Sequence, residues 1–180
     1  MRFTPLVVEG AWLVEPEPRA DERGLFARTW CVNEFGEKGL TATFVQTSVS
    51  FNDVAGTLRG LHYQAEPHAE VKLVRCTAGS IYDVIVDLRE GSASYMKWCA
   101  EMLSAENRHA LYIPQGCAHG FLTLEDRSEV FYQISEFHHA ESARGVRWSD
   151  PVFGIEWPRA PARISQRDSE YPLMPRCGVE

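Results

Sequence analysis

Apolar residues along this chain fall into short runs closed off by Gly, Pro, Asn and Asp, not spread at helical spacing. The runs are "LVVEGAWLVEP", "TFVQTSVSFN", "GTLRGLHYQ", "VKLVRCTAGSIYDVIVDLRE", "MKWCAEMLSAE", "HALYIPQG", "HGFLTLED" and "SEVFYQISEF". Runs of this kind between turn residues predict the strands of an all-β sandwich or barrel. "VKLVRCTAGSIYDVIVDL" predicts a hairpin, because Ala78-Gly79 interrupts two apolar-rich arms. Helical patterning is weak, and only "CVNEFGEKG" predicts a short helix, ending near Gly36 or Gly39. The tail "WPRAPARISQRDSEYPLMPRCGVE" is Pro-rich and polar. It predicts a surface-wrapping segment over about 158–180 without strands of its own.

Composition sharpens this outline. With 180 residues, 44% of them hydrophobic and 24% charged, and no repeat or linker in sight, one domain over 1–180 is expected. The formal net charge of −7 argues against a nucleic-acid or membrane-surface partner, which would need clustered Lys and Arg. A single small anionic ligand is still compatible with it. No apolar stretch approaches the roughly 18–20 residues of a membrane span. "MRFTPLVVEGAWLVEPEP" lacks the clean apolar run of a signal peptide, so the chain reads as cytoplasmic. Cys31, Cys76, Cys99, Cys117 and Cys177 form an odd set without CxxC spacing. That predicts neither a disulfide framework nor a zinc site.

Against this frame, several polar residues sit oddly. In "LRGLHYQ", regular alternation would put Arg59 and His62 on opposite faces of a strand. A bulge at Gly60 would bring both onto one face, lining the barrel interior beside a ligand. In "VKLVRC", Lys72 shares a face with Val74 and Cys76, where an ammonium must be desolvated or held against an anion. In "LYIPQGCAHGF", the pattern P-x-G-x-x-H sets His119 just after a tight turn. Tyr132 lies on a strand with Val130 and Ile134, Asp168 lies in the tail, and Arg23 precedes a Gly in "DERGLF". Each has an ordinary reading when viewed singly: a solvated Arg, a hydrogen-bonded core His, a snorkelling Lys, a core Tyr, a turn Asp.

The P-x-G-x-x-H pattern resembles the second signature of the cupin superfamily of jelly-roll barrels, in which such a His often binds metal. The first cupin signature is incomplete, since Gln64 stands where a second His is usual. A ligand set improvised from His62, His68, Glu70 and His119 would draw on a loop residue, so no metal is expected. Taken in order, "DERGLF", "FVQ", "LRGLHYQ", "KLVR", "LSAENRHALYIPQGCAHGF", "FYQIS", "RGVRWSDPVFGIEWP" and "ISQRD" resemble the dTDP-4-dehydrorhamnose 3,5-epimerase family of cupins, from about Val8 to about Leu173. The resemblance implies a cupin-type jelly roll with a few short helices, a homodimer and no cofactor. It also implies inversion at C3 and C5 of a nucleotide-linked 4-keto-6-deoxy sugar. His62 then resembles the general base, Asp168 its orienting partner, Lys72 (aided by Arg59) the stabiliser of the enolate oxygen, and Tyr132 the opposing acid. Arg23, Arg59 and His119 resemble diphosphate or sugar contacts, and Gln46 a nucleotide contact; Phe26 falls in the same binding set.

The chemistry makes sense of those residue types. A C–H beside a ketone yields to a neutral imidazole only if a fixed cation meets the growing enolate charge. Inversion needs a base and an acid on opposite walls. The chain departs from the family on the nucleotide side. Arg28 stands where Glu is usual, Thr47 and Ser48 replace Asp-Asn, and Phe137 and His138 replace a Tyr pair. A single-centre epimerase, or one taking a GDP- or CDP-linked sugar, is therefore an alternative. A metal-dependent cupin oxygenase or isomerase and a non-catalytic sugar-nucleotide binding barrel are readings from other classes.

Overall fold

The computed structural model describes residues 1–175, so Cys177 lies outside the described residues. In chain order the strands are β1 (Arg2–Pro5), β2 (Trp12–Glu15), β3 (Arg19–Asp21), β4 (Gly24–Phe26), β5 (Gln46–Asn52), β6 (Thr57–Gln64) and β7 (Lys72–Ala78). They continue with β8 (Ser80–Asp87), β9 (Trp98–Ser104), β10 (Ala110–Ile113), β11 (Cys117–Thr123), β12 (Ser128–Ile134), β13 (Ala143–Gly145) and β14 (Arg163–Ile164). Two short helices, α1 (Val32–Gly36) and α2 (Gln166–Glu170), complete the set. The predicted helix near Gly36 is α1.

The strands form two facing sheets, ordered β1-β2-β10-β7-β12-β5 and β13-β6-β11-β8-β9, with β3–β4 as a separate hairpin. This is a jelly roll, and the two ladders stay separate among the described residues instead of closing into one barrel. Alternation along β7, β8, β11 and β12 sends Val74, Cys76, Ile81, Ile85, Phe121 and Val130 into a shared core between the sheets. The opposite faces are covered too. Leu73 and Tyr112 pack with Phe35 of α1, while Val84, Val86 and Ala118 pack with Val146 and Phe153. Burial on both sides is why β8 and β11 read as nearly unbroken apolar runs.

Three expectations are corrected. The run around Ala78-Gly79 is not a hairpin: β7 pairs β10 and β12, whereas β8 pairs β11 and β9. Gly79, at φ +70°, turns the chain from one sheet to the other hard against Ser128, where a Cβ would collide with that side chain. A hairpin turn and a corner have the same local residues, and the supply of partners on each side decides between them. The N-terminal run "LVVEGAWLVEP" is not one strand either. The chain reverses at 6–11 through Gly10 (φ +77°), and β1 folds back on β2 within the same chain. The tail, finally, does form a strand. Only the later half of β6 is covered by β13, so Arg163–Ile164 adds in parallel beside Thr57 and Leu58.

Candidate functional site

The bulge expected at Gly60 is present. His62 lies opposite His119 and Arg59 opposite Phe121, so β6 spends one residue more than β11 over the same span. Gly60 has φ +129°, and a Cβ there would come within 2.5 Å of Gly120 Cα. Both positions need glycine for the strands to approach. The consequence is that Arg59 and His62 line one cavity of about 750 Å³ opening between the sheets, within the usual range for small-molecule sites.

His62 and Asp168 meet although 106 residues separate them. Ser165 caps α2 by accepting a hydrogen bond from the Asp168 backbone N–H at 3.0 Å, which aims the Asp168 carboxylate at β6. Its Oδ1 accepts from His62 Nε2 at 2.7 Å and its Oδ2 from the Gly60 N–H at 3.1 Å. Burial opposes ionisation of Asp168, but the His62 contact and the Gly60 and Ser165 hydrogen bonds outweigh it, holding the carboxyl below its ordinary range. With Nε2 engaged, Nδ1 is the free basic nitrogen of His62.

The opposite sheet supplies the rest. Lys72 is buried, its Nζ 2.7 Å from Glu70 Oε1 and donating to the His62 carbonyl at 3.3 Å. Tyr132 lines the cavity from β12, its ring packed edge-on to His119 at 6.0 Å. Burial and then the Asp83 charge drive the Tyr132 phenol upward, against a downward pull from Arg59, so the hydroxyl is protonated at neutral pH. His119 itself donates from Nε2 to Asp83 Oδ1 at 2.6 Å. Both are buried, and Asp83 Oδ2 has no hydrogen-bond partner. Burial raises the Asp83 carboxyl in spite of His119 and Lys72.

Of the residues singled out by sequence, the cavity gathers Gln46, Ser48, Arg59, His62, Lys72, His119, Tyr132, His138 and Asp168. The Oε1 of Gln46 accepts from the His138 N–H at 2.7 Å. Thr47, one place along β5, points away from it. Within the chain Arg23, Phe26 and Arg28 lie elsewhere. Arg23 pairs with Asp21 at 2.6 Å, Arg28 with Glu34 at 2.9 Å, and Phe26 is 74% exposed. Phe137 is exposed as well. Sequence reasoning missed Asp83, whose signal was a lone carboxylate in the apolar run "IYDVIV". It also missed Arg144, Arg163 and Arg167, which give the rim of an acidic protein a cationic excess. His62, His68, Glu70 and His119 do not gather as a ligand set; among the described residues the grouping is His68 with Glu136 and His139.

A jelly roll whose cavity gathers a carboxylate-held imidazole, a neutral phenol on the opposite sheet and a buried ammonium has the groups that an acid–base isomerase of the cupin type would use. A family model described as dTDP-4-dehydrorhamnose 3,5-epimerase matches residues 5–175. The chain belongs to that family. It is 40% identical over 175 residues to the dTDP-4-dehydrorhamnose 3,5-epimerase of Sinorhizobium fredii, covering 97% of this chain and 90% of that protein. Its fold is similar to the Bacillus anthracis enzyme solved with TDP and PPi bound, with TM-score 0.93, 39% identity and coverage of 96% and 99%. It is likewise similar to the Legionella pneumophila dTDP-6-deoxy-D-glucose-3,5-epimerase in complex with dTDP-4-keto-L-rhamnose, with TM-score 0.89, 34% identity and coverage of 96% and 92%.

Proposed function

We propose that the cavity inverts C3 and C5 of a dTDP-linked 4-keto-6-deoxy sugar by proton abstraction, enolate stabilisation and reprotonation from the other face. The observation that carries this reading is the split of base and acid between walls: His62 on β6 of one sheet, Tyr132 on β12 of the other, with one cavity between them. His62 Nδ1 takes the proton beside the ketone. Asp168 holds the tautomer and stabilises the imidazolium that forms. Lys72, aided by Arg59, meets the charge that develops on the C4 oxygen, and its burial makes that contact stronger than it would be in water. Tyr132 returns a proton from across the ring, and the sugar is inverted at that carbon.

The substrate's nucleotide and diphosphate lie toward the rim, where Arg144, Arg163 and Arg167 supply charge and Gln46, Ser48 and His138 supply polar contacts. The TDP bound by the Bacillus relative and the dTDP-4-keto-L-rhamnose bound by the Legionella relative support the dTDP handle. Incubation with dTDP-4-keto-6-deoxyglucose in deuterated water, followed by NMR, tests the proposal. Deuterium at both C3 and C5, absent in His62→Ala, is expected. Deuterium at one carbon would make the protein a single-centre epimerase, and none at either would reduce it to a binding barrel.

The reading extends to a homodimer in the cytoplasm. The outer face of edge strand β5 leaves Val49 61% and Phe51 45% exposed, an apolar strip suited to a second copy. In such a pair Arg23, Phe26 and Arg28 would be available to the partner's cavity. Sedimentation of Val49→Asp tests this: a monomer is expected from the variant and a dimer from the parent. The free thiols of Cys31, Cys76, Cys99 and Cys117 favour a reducing compartment. No helix among the described residues is long and apolar enough to cross a membrane.

A further inference from the structure

We propose a divalent-metal site at the rim of the cavity, built from His68, Glu136 and His139 and separate from both His–Asp pairs. One ligand atom from each of these side chains lies within 4.8 Å of the other two. Ligands about 2.0–2.1 Å from a tetrahedral ion are themselves roughly 3.3 Å apart, so a small inward movement closes the shell. Two imidazoles with one carboxylate suit borderline first-row ions such as Zn²⁺, Co²⁺ and Ni²⁺. All-oxygen cages for Ca²⁺ or Mg²⁺ look different.

The frame under these side chains is built. His68 belongs to the loop after β6, Glu136 and His139 to the loop after β12. The buried amide of Gln64 joins the two loops: Nε2 donates to the His68 and Phe137 carbonyls, both at 3.0 Å, and Oε1 accepts from the His139 N–H at 2.6 Å. One side chain thus sets the backbone of two ligands and flanks the third, the kind of support that positions metal ligands.

The two imidazoles lie face to face, centroids 3.4 Å apart and planes 7° from parallel. Parallel rings cannot both point an in-plane lone pair at one ion, so one ring must turn. His139 is free to do so. Its Nδ1 is held only by Glu141 Oε1 at 3.2 Å, and Glu141 is 72% exposed, so water can replace that contact. The His68 ring has no hydrogen bond among the described residues, and its nitrogens are open to a metal. Glu136 also lines the cavity, so an ion here ties the two loops together at its mouth.

The test uses the metal-stripped, untagged full chain titrated with Co²⁺, read by visible ligand-field absorption, and with Zn²⁺ against a chromophoric chelator. One equivalent is expected, with the affinity falling about tenfold or more in His68→Ala and in His139→Ala. His109→Ala, on a different part of the surface, should bind as the parent does. Metal-free thermal melts of each variant separate loss of ligands from loss of fold. The proposal is overturned if no ion binds, if binding survives both substitutions, or if binding is lost in His119→Ala and kept in His139→Ala, which would put the ion inside the barrel.

Discussion

Two His–Asp pairs of nearly equal length, 2.7 Å for His62–Asp168 and 2.6 Å for His119–Asp83, set their imidazoles on the cavity in opposite electrostatic circumstances. Asp168 collects donors from His62 and from the Gly60 backbone, and its carboxyl is held low; the His62 side chain is 40% exposed to the cavity. Asp83 is fully buried, leaves one oxygen unpartnered, and its carboxyl is pushed up; His119 is only 4% exposed. Distance alone therefore does not single out the pair proposed for proton transfer. The surroundings do: donors that keep the acid ionised, and an imidazole nitrogen left open to a ligand.

The sharpest way to break this contrast is to remove each imidazole. His62→Ala should lower kcat by about 10²–10⁴ in a steady-state assay with the fold intact by circular dichroism. His119→Ala should act mainly on KM and on stability, since it strands a buried carboxylate. Equal losses of kcat from both would end the distinction. Tyr132→Phe comes next: solvent deuterium should still enter the substrate, while inverted product falls by about 10²-fold or more. Inversion at the parental rate would remove Tyr132 as the acid.

The two carboxylates should also separate by pH in thermal melts. The lowered Asp168 carboxyl contributes stability that is complete above the ordinary carboxylate range, near 4, and fades as pH falls through its native value. Asp168→Asn should therefore cost stability at neutral pH, with the gap to the parent closing in acid. Asp83 has the reverse sign: its raised carboxyl imposes no cost below about pH 4 and a growing one as pH climbs. Asp83→Asn, which can still accept from His119, should gain on the parent as pH rises. Curves that run together would refute the assignment. The smallest effect expected is from Gly145→Ala. A Cβ there would collide with the Tyr171 ring, which packs edge-on to His62 at 6.0 Å. Displacing that ring should loosen the tail carrying Asp168 and lower kcat by about tenfold, leaving the melt nearly unchanged.

Much of the site was legible because it consists of charges where strand alternation calls for apolar residues. Lys72 on the face of Val74 and Cys76, and Arg59 with His62 around Gly60, stand out by that rule alone. Asp83 breaks the same rule in "IYDVIV", but no motif marks it. Asp168 stands out only through the family resemblance of the chain, since nothing in "ISQRD" says which strand the tail will meet. The metal-ligand candidates show the limit clearly. "HYQAEPHAE" offers His68 in an apparent loop, but its partners Glu136 and His139 come from another loop some 70 positions on, joined to it through Gln64.

The positions of the long core strands, the short helix, the bulge at Gly60 and the polar groups that face inward follow from local patterning, since alternation and glycine placement act over a few residues. Which strand lies beside which does not. Whether Gly79 makes a hairpin or a corner, where Arg163–Ile164 finds an edge, and which histidine meets which aspartate depend on contacts between distant segments. Each such contact is chosen by what the rest of the chain leaves unpaired and unburied, and that competition is settled only when both sheets are assembled.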